Sequence, residues 1–263
     1  HHGELLWLMS APLRCKAVLL FVWALSSRGG AAEERHSRSL WLENESVALE
    51  SLRNPWVVAL GAGELKRESF ARYVAQDAFF LLGFAKAYGR AVGKCSGGFQ
   101  ASRRCIETLH GLLGAVTEEL QLHDSYAAKW GSLDRAPMPA TLEYVDFLEE
   151  VSSDPTASLA EVIAAMAPCM RLYAFIGTEL QKAVPEDHAY MEWIETYASA
   201  DFGAAADTVD RVLDEAPPTA RAAALFKRAM QLELAFFSAH DPEPAHPGAS
   251  SSARIAAVRA ALT

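Results

Sequence analysis

From Ser37 to Leu262 the apolar residues return every three or four positions, and prolines, glycines and short polar clusters fall between the runs. That spacing is the period of an α-helix, and it repeats without an alternating β-branched run anywhere along the chain. Helical runs are predicted over Ser37–Arg53, Arg67–Cys95, Ser102–Trp130, Thr141–Val151, Leu159–Lys182 with a break at Pro168, His188–Ala200, Ala204–Glu215, Thr219–Ala239 and Ala253–Leu262. No fixed-period repeat links them, so stacking into a solenoid is not expected. An all-α bundle is the class this pattern supports.

Charge and cysteines narrow the function. Thirty-three Asp and Glu stand against 24 Lys and Arg, a net charge of −9. An acidic chain lacks the basic face that nucleic acid or an anionic membrane surface requires. The four cysteines, Cys15, Cys95, Cys105 and Cys169, form no C-x-x-C pair and no zinc-spaced cluster with histidine. Free thiols in a reducing compartment are the expectation.

Residues 1–35 are set apart from the fold. No acid occurs between Glu4 and Glu33, and Arg14 and Lys16 precede an apolar run from Ala17 to Leu25. The run is shorter than the roughly 20 residues a spanning helix needs. It reads as an organellar presequence, with a secretory signal or irrelevant upstream sequence as alternatives. The expected organisation is therefore a targeting segment or extension at 1–35, a helical domain at 36–240, and a linker with a short helix at 241–263. The expected location is intracellular, cytosolic or organellar.

Within the stripes, a few polar residues stand out. Phe70, Tyr73, Val74, Asp77, Phe80, Leu81, Phe84 and Tyr88 share one helix face, and Asp77 is its one acid. A carboxylate there is costly without a partner. A bond to a neighbouring tyrosine or to backbone would satisfy it equally well. Phe226, Met230, Glu233 and Phe237 repeat the anomaly with Glu233. Cys169 lies between Met166 and Tyr173, and Tyr144 and Tyr197 sit on further stripes. Several helices thus each offer one polar group to a common interior, a pattern suited to an aromatic-lined pocket for a polar ring. Paired acids also suggest metal, but di-iron bundles use two Glu-x-x-His pairs, and Glu119 with His123 is spaced by four and unmatched. No metal and no cofactor are expected, and His110 and His123 are assigned structural roles.

Four segments then resemble one family. Phe70, Tyr73, Gln76 and Asp77 form F-x-x-Y-x-x-Q-D; Pro168, Cys169, Tyr173 and Gly177 form P-C-x-x-x-Y-x-x-x-G. Trp193, Ile194, Tyr197 and Ser199 form W-I-x-x-Y-x-S, and Glu233, Phe236 and Phe237 close an E-x-x-F-F helix. In this order the segments resemble the TenA family, the thiaminase II type, and the stretch from Met230 to Glu233 resembles a plant-type subgroup. The resemblance implies a heme-oxygenase-like helical bundle without heme. It implies hydrolysis of 4-amino-5-aminomethyl-2-methylpyrimidine to the hydroxymethyl pyrimidine and ammonia in thiamin salvage, with thiamin cleavage as a related activity. By the same resemblance Cys169 is the nucleophile and Glu233 protonates the leaving amine. Asp77 grips the pyrimidine, Tyr144, Tyr173 and Tyr197 line the pocket, and the protein forms a homodimer or homotetramer.

Two departures qualify it. Phe80 stands where many members have tyrosine, which bears on substrate preference. The plant-type subgroup carries a phosphatase domain for thiamin monophosphate, and no D-x-D-x-T/V motif occurs in these 263 residues. A pyrimidine-binding module without turnover, the TenA half of such a bifunctional enzyme, and a cofactor-independent oxidase on the same fold are the competing readings. Retained Cys169 and Glu233 weigh against a mere binder.

Overall fold

The computed structural model describes residues 35–130, 136–184 and 188–263, the side chains of residues 122 and 124–130 excepted. The expected targeting segment and Cys15 lie outside them. The described residues form eleven helices: α1 His36–Glu43, α2 Glu45–Leu52, α3 Pro55–Gly61, α4 Arg67–Val92, α5 Phe99–Trp130, α6 Pro139–Ser153, α7 Leu159–Ala183, α8 Met191–Ala198, α9 Ala200–Asp214, α10 Ala220–Ser238 and α11 Ala249–Ala261.

Local chemistry sets the boundaries. Asn54 caps α3 by accepting from the Trp56 amide at 2.9 Å, and Pro55 occupies the first turn, where its missing N–H costs nothing. Ser158 and Glu161 form a reciprocal capping box at the start of α7. Ser199 and Thr219 cap α9 and α10. The expected single helix over Ser37–Arg53 is two, α1 and α2, because Asn44 turns its side chain onto the Leu40 carbonyl at 2.8 Å and interrupts the ladder. The expected break at Pro168 is absent: α7 runs through it, and the proline merely removes one backbone donor.

Helix α4 packs on α5 and α6, while α7 packs on α8, α9 and α10 and touches α4 and α6. Helix α7 is long and apolar enough to cross a membrane by composition, yet 72% of that apolar window is buried inside the bundle. It is the core helix around which the others pack. The tail is fastened to the same body. Ala245 donates its amide to the Glu64 carbonyl at 2.7 Å, Arg254 pairs with the buried Glu64, and Val258 and Leu262 of the α11 end are buried.

The cysteine expectation needs correction. Cys95 and Cys105 are joined in a disulfide, Cα–Cα 5.8 Å, and Cys169 is free. Cys95 lies in the connection between α4 and α5 and Cys105 near the start of α5, so the bridge ties that loop back onto α5. Closing a loop of 10 residues removes chain entropy from the unfolded state, about 2–3 kcal/mol in the loop-entropy account. Reduction with dithiothreitol is therefore expected to lower the melting temperature by about 5–10 °C. An unchanged melting curve, with both thiols titrating in the native protein, would show the bridge to be absent in solution.

Candidate active site

Six helices converge where the stripes predicted. Every member of the Asp77 stripe is buried, as are Phe226, Met230, Glu233 and Phe237. Gln76, beside Asp77, fastens the neighbouring helix. Its side-chain oxygen accepts from the Met138 amide and the Thr141 hydroxyl, each at 2.7 Å, and its amide donates to the Ala136 carbonyl at 3.2 Å. The start of α6, and with it Tyr144, is thus set against α4.

Asp77 is satisfied neither by tyrosine nor by backbone. Its Oδ2 meets Nε2 of His123 on α5 at 2.9 Å, and both side chains are almost wholly buried. His123 Nδ1 lies 2.8 Å from the Glu119 carbonyl, which can only accept, so that nitrogen carries a proton. One more proton must then sit between Nε2 and Oδ2. Burial alone would lower the imidazole, but the Asp77 bond and charge raise it to about 9. With its imidazole raised, His123 holds both ring protons at neutral pH and donates one to Oδ2, while Oδ1 of Asp77 accepts no hydrogen bond from a described residue. His123, for which a structural role is expected, is the buried partner of Asp77, a candidate site residue. His110 is exposed, away from the site.

The other acids follow the same design. Glu233 Oε1 accepts from the Tyr144 hydroxyl at 2.8 Å. Burial, helped by the Asp77 charge, lifts its carboxyl to about 8, so it holds a proton at neutral pH. Glu119 Oε1 accepts from the Tyr197 hydroxyl at 2.8 Å, and burial with the Asp77 charge raises it to about 7. Cys169 faces all three acids. Burial, then Glu233, Glu119 and Asp77, push its thiol well above its ordinary value, so the resting side chain is a neutral thiol. Among the described residues no group of three His, Cys, Asp or Glu side chains is placed to hold a metal ion.

Aromatic rings close the space around these groups. Tyr73 accepts from the Trp193 indole N–H at 3.2 Å and donates to the Tyr173 hydroxyl at 3.3 Å. Tyr173 lies 4.9 Å from Tyr197, and Phe80 lies 4.7 Å from Tyr144, centroid to centroid. Phe80 therefore packs against the tyrosine that holds Glu233 and offers no hydroxyl.

Gly177 explains the end of its motif. A Cβ there would stand 2.6 Å from the Tyr197 carbonyl carbon and 2.7 Å from the Ala198 nitrogen. Helix α8 crosses α7 that closely, which delivers Tyr197 to Tyr173 and Glu119. Gly177→Ala is expected to destabilise the fold by about 1–3 kcal/mol and to raise KM by displacing Tyr197. A melting curve and KM matching wild type would count against this account.

All seven predicted site residues come together: Cys169, Glu233, Asp77, Phe80, Tyr144, Tyr173 and Tyr197. Sequence reasoning missed Glu119, His123, Tyr73 and Trp193 as members. The four-residue spacing of Glu119 and His123, which puts both on one side of α5, is the signal the sequence carries for these two.

The chain is similar in sequence and in fold to known proteins. A family profile described as TENA/THI-4/PQQC matches residues 45–240. The chain is 31% identical over 236 residues to the mitochondrial bifunctional TH2 protein of Arabidopsis thaliana, an alignment covering 79% of this chain and 37% of that protein. It therefore spans little more than a third of that relative's length. It is 32% identical over 186 residues to an aminopyrimidine aminohydrolase of Halalkalibacterium halodurans, covering 67% of this chain and 80% of the relative. A crystal structure from Silicibacter sp. TM1040, described as a TenA family transcription regulator, superposes with TM-score 0.71 at 28% identity, covering 78% of this chain and 96% of that one. A Shewanella denitrificans domain with a heme oxygenase-like fold superposes with TM-score 0.53 at 13% identity, over 77% of this chain and 88% of its own. The heme-oxygenase-like helical bundle is the fold.

Proposed function

Because the chain belongs to the TENA/THI-4/PQQC family, we propose that it is an aminopyrimidine aminohydrolase of the thiaminase II type, acting in thiamin salvage. It converts 4-amino-5-aminomethyl-2-methylpyrimidine to the hydroxymethyl pyrimidine and ammonia. The observation that carries this reading is the placement of Cys169 facing three acids, the buried Asp77 and Glu233 and the half-buried Glu119, with Glu233 protonated at neutral pH. A binder would need neither a thiol nor an acid held in its proton-bearing form. The Halalkalibacterium aminohydrolase supports the substrate class.

The chemistry follows from the protonation states. Asp77 accepts from the pyrimidine amino group through its free oxygen. The Cys169 sulfur adds to a ring carbon, and its proton passes to the ring nitrogen beside Asp77. Aromaticity is broken, and the ring electrons can now expel the substituent on the exocyclic methylene. Glu233 keeps the departing nitrogen protonated, so it leaves as ammonia. Water adds at the methylene, the S–C bond breaks, and the thiol recovers its proton as the ring regains aromaticity. One difficult displacement is split into additions and eliminations. No metal or cofactor enters these steps.

Release of ammonia from the aminomethyl pyrimidine, with thiamin cleavage in parallel, tests the reading. Turnover of the aminopyrimidine in preference to thiamin is expected. Comparable cleavage of thiamin would make thiaminase the better description, and binding without turnover of either would overturn catalysis. The mitochondrial Arabidopsis relative supports an intracellular, organellar site of action with residues 1–35 as its address and residues 36–240 as the catalytic domain. A homodimer or homotetramer, with exposed Leu82, Phe99 and Leu142 available to an interface, is expected by light scattering.

A further inference from the structure

Glu119 has no task in the mechanism above. Asp77 holds the ring, Glu233 carries the proton, and Cys169 makes the covalent bond. A third carboxyl in the same interior is costly, because it adds a like charge near Asp77 in a place poor in water. If Glu119 merely anchored the Tyr197 hydroxyl, a neutral amide oxygen would serve without that cost. Its charge is the feature left unexplained.

The surroundings say what the charge meets. One oxygen is tied to Tyr197, and the other accepts no hydrogen bond from a described residue. The charged or titratable groups facing Glu119 are Asp77 and Tyr73 from α4, His123 from α5, Cys169 from α7 and Tyr197 from α8. His123 is the one cation among them, and Asp77 neutralises it. Tyr197, which holds Glu119, lies 4.6 Å from Trp193 and 4.9 Å from Tyr173, centroid to centroid, so the acid is tied to the edge of an aromatic cluster. A free carboxylate oxygen beside aromatic faces is a receptor for an organic cation.

Resting on the aminohydrolase reading, we propose that Glu119, held by Tyr197, is the counter-ion for a positive charge on the substrate's exocyclic methylene. It thereby distinguishes a cationic substrate, an alkylammonium or an N-quaternised heterocycle, from the neutral alcohol product. At neutral pH an alkylamine is an ammonium. Glu119 and Glu233 divide the work: Glu119 supplies the opposite charge, and Glu233, which holds its proton more tightly, keeps the leaving nitrogen protonated. Once ammonia has gone, the methylene carries a neutral hydroxyl and the attraction ends. Product release is built into the charge pattern.

Calorimetric titration of the full chain carrying Cys169→Ser, which blocks turnover, tests this. The probes are the aminomethyl pyrimidine and the hydroxymethyl pyrimidine. Adding Glu119→Gln is expected to weaken the amine about 30-fold or more, as for loss of one partner of a buried charge pair, and the alcohol less than threefold. A parallel loss for both ligands would make Glu119 a structural prop and overturn the proposal, as would no loss for either. Failure of both ligands to bind when Glu119 is intact would instead overturn the aminohydrolase reading beneath it. A second measurement needs no change at Glu119. At pH 6.5, titrations in two buffers of different ionisation enthalpy should show proton release on binding the amine and none on binding the alcohol. Equal proton uptake or release for the two ligands would refute the counter-ion role.

Discussion

Cys169→Ser should lower kcat for ammonia release about a thousandfold or more while leaving the affinity for the hydroxymethyl pyrimidine within a few-fold of wild type. The exchange of sulfur for oxygen changes volume little and leaves the three acids in place. What it removes is a nucleophile that can add to an aromatic ring and later depart. Serine's hydroxyl holds its proton far more firmly, and the acids around it are engaged elsewhere: Glu233 is already protonated, Asp77 is paired with His123 and Glu119 is tied to Tyr197. The same acids hold Cys169 as a thiol at rest, so the native site should alkylate slowly with iodoacetamide at pH 7 and faster as pH rises. Residual kcat within tenfold of wild type would rule out covalent catalysis by Cys169. Rapid alkylation at pH 7 would contradict the electrostatic picture of the empty site.

Much of this was legible in the sequence because apolar stripes make polar exceptions visible. Asp77, Glu233 and Tyr197 each interrupt an apolar face, and the fold buries all three. Glu119 follows Glu118 on a helix with many polar positions, and nothing in the spacing tells which of the two acids turns inward. His123 gains its meaning from Asp77, 46 positions away, through a contact that exists after α4 and α5 pair. Helix α3 escaped for the opposite reason. Residues 56–61 of this helix are all buried, so it shows no polar face for a periodicity to reveal. The disulfide was hidden in the same way as His123, since Cys95 and Cys105 approach each other through the turn between two helices. Cysteine usage points to free thiols, and the geometry of one loop joins two of them. The local rules thus reach the stripes and the breaks between most helices, while pairings across helices depend on the packing.

Glu233→Gln should lower kcat by about 10²–10⁴-fold, the range for loss of a positioned proton-transfer group, and should at the same time stabilise the protein at alkaline pH. The two effects share one cause. Burial raises the Glu233 carboxyl to about 8, whereas in the unfolded chain it returns to the ordinary glutamate range near 4.3. Between those values the folded state binds more protons than the unfolded state. Stability from this group is complete below the unfolded value and is lost as pH climbs toward 8. A glutamine carries no such penalty and can still accept from the Tyr144 hydroxyl. The melting temperature of Glu233→Gln should therefore gain on wild type as pH moves from 5 to 8.5. In activity the wild type should decline above about pH 8, when Glu233 loses its proton, with His123 following near 9. Activity should also decline below about pH 7, where Glu119 becomes neutral. The residual activity of Glu233→Gln should lack the decline at pH 8 and retain the one near 7. A variant equally active to wild type, or one whose melting advantage shrinks with rising pH, would show that Glu233 is ionised in the native site and is not the acid.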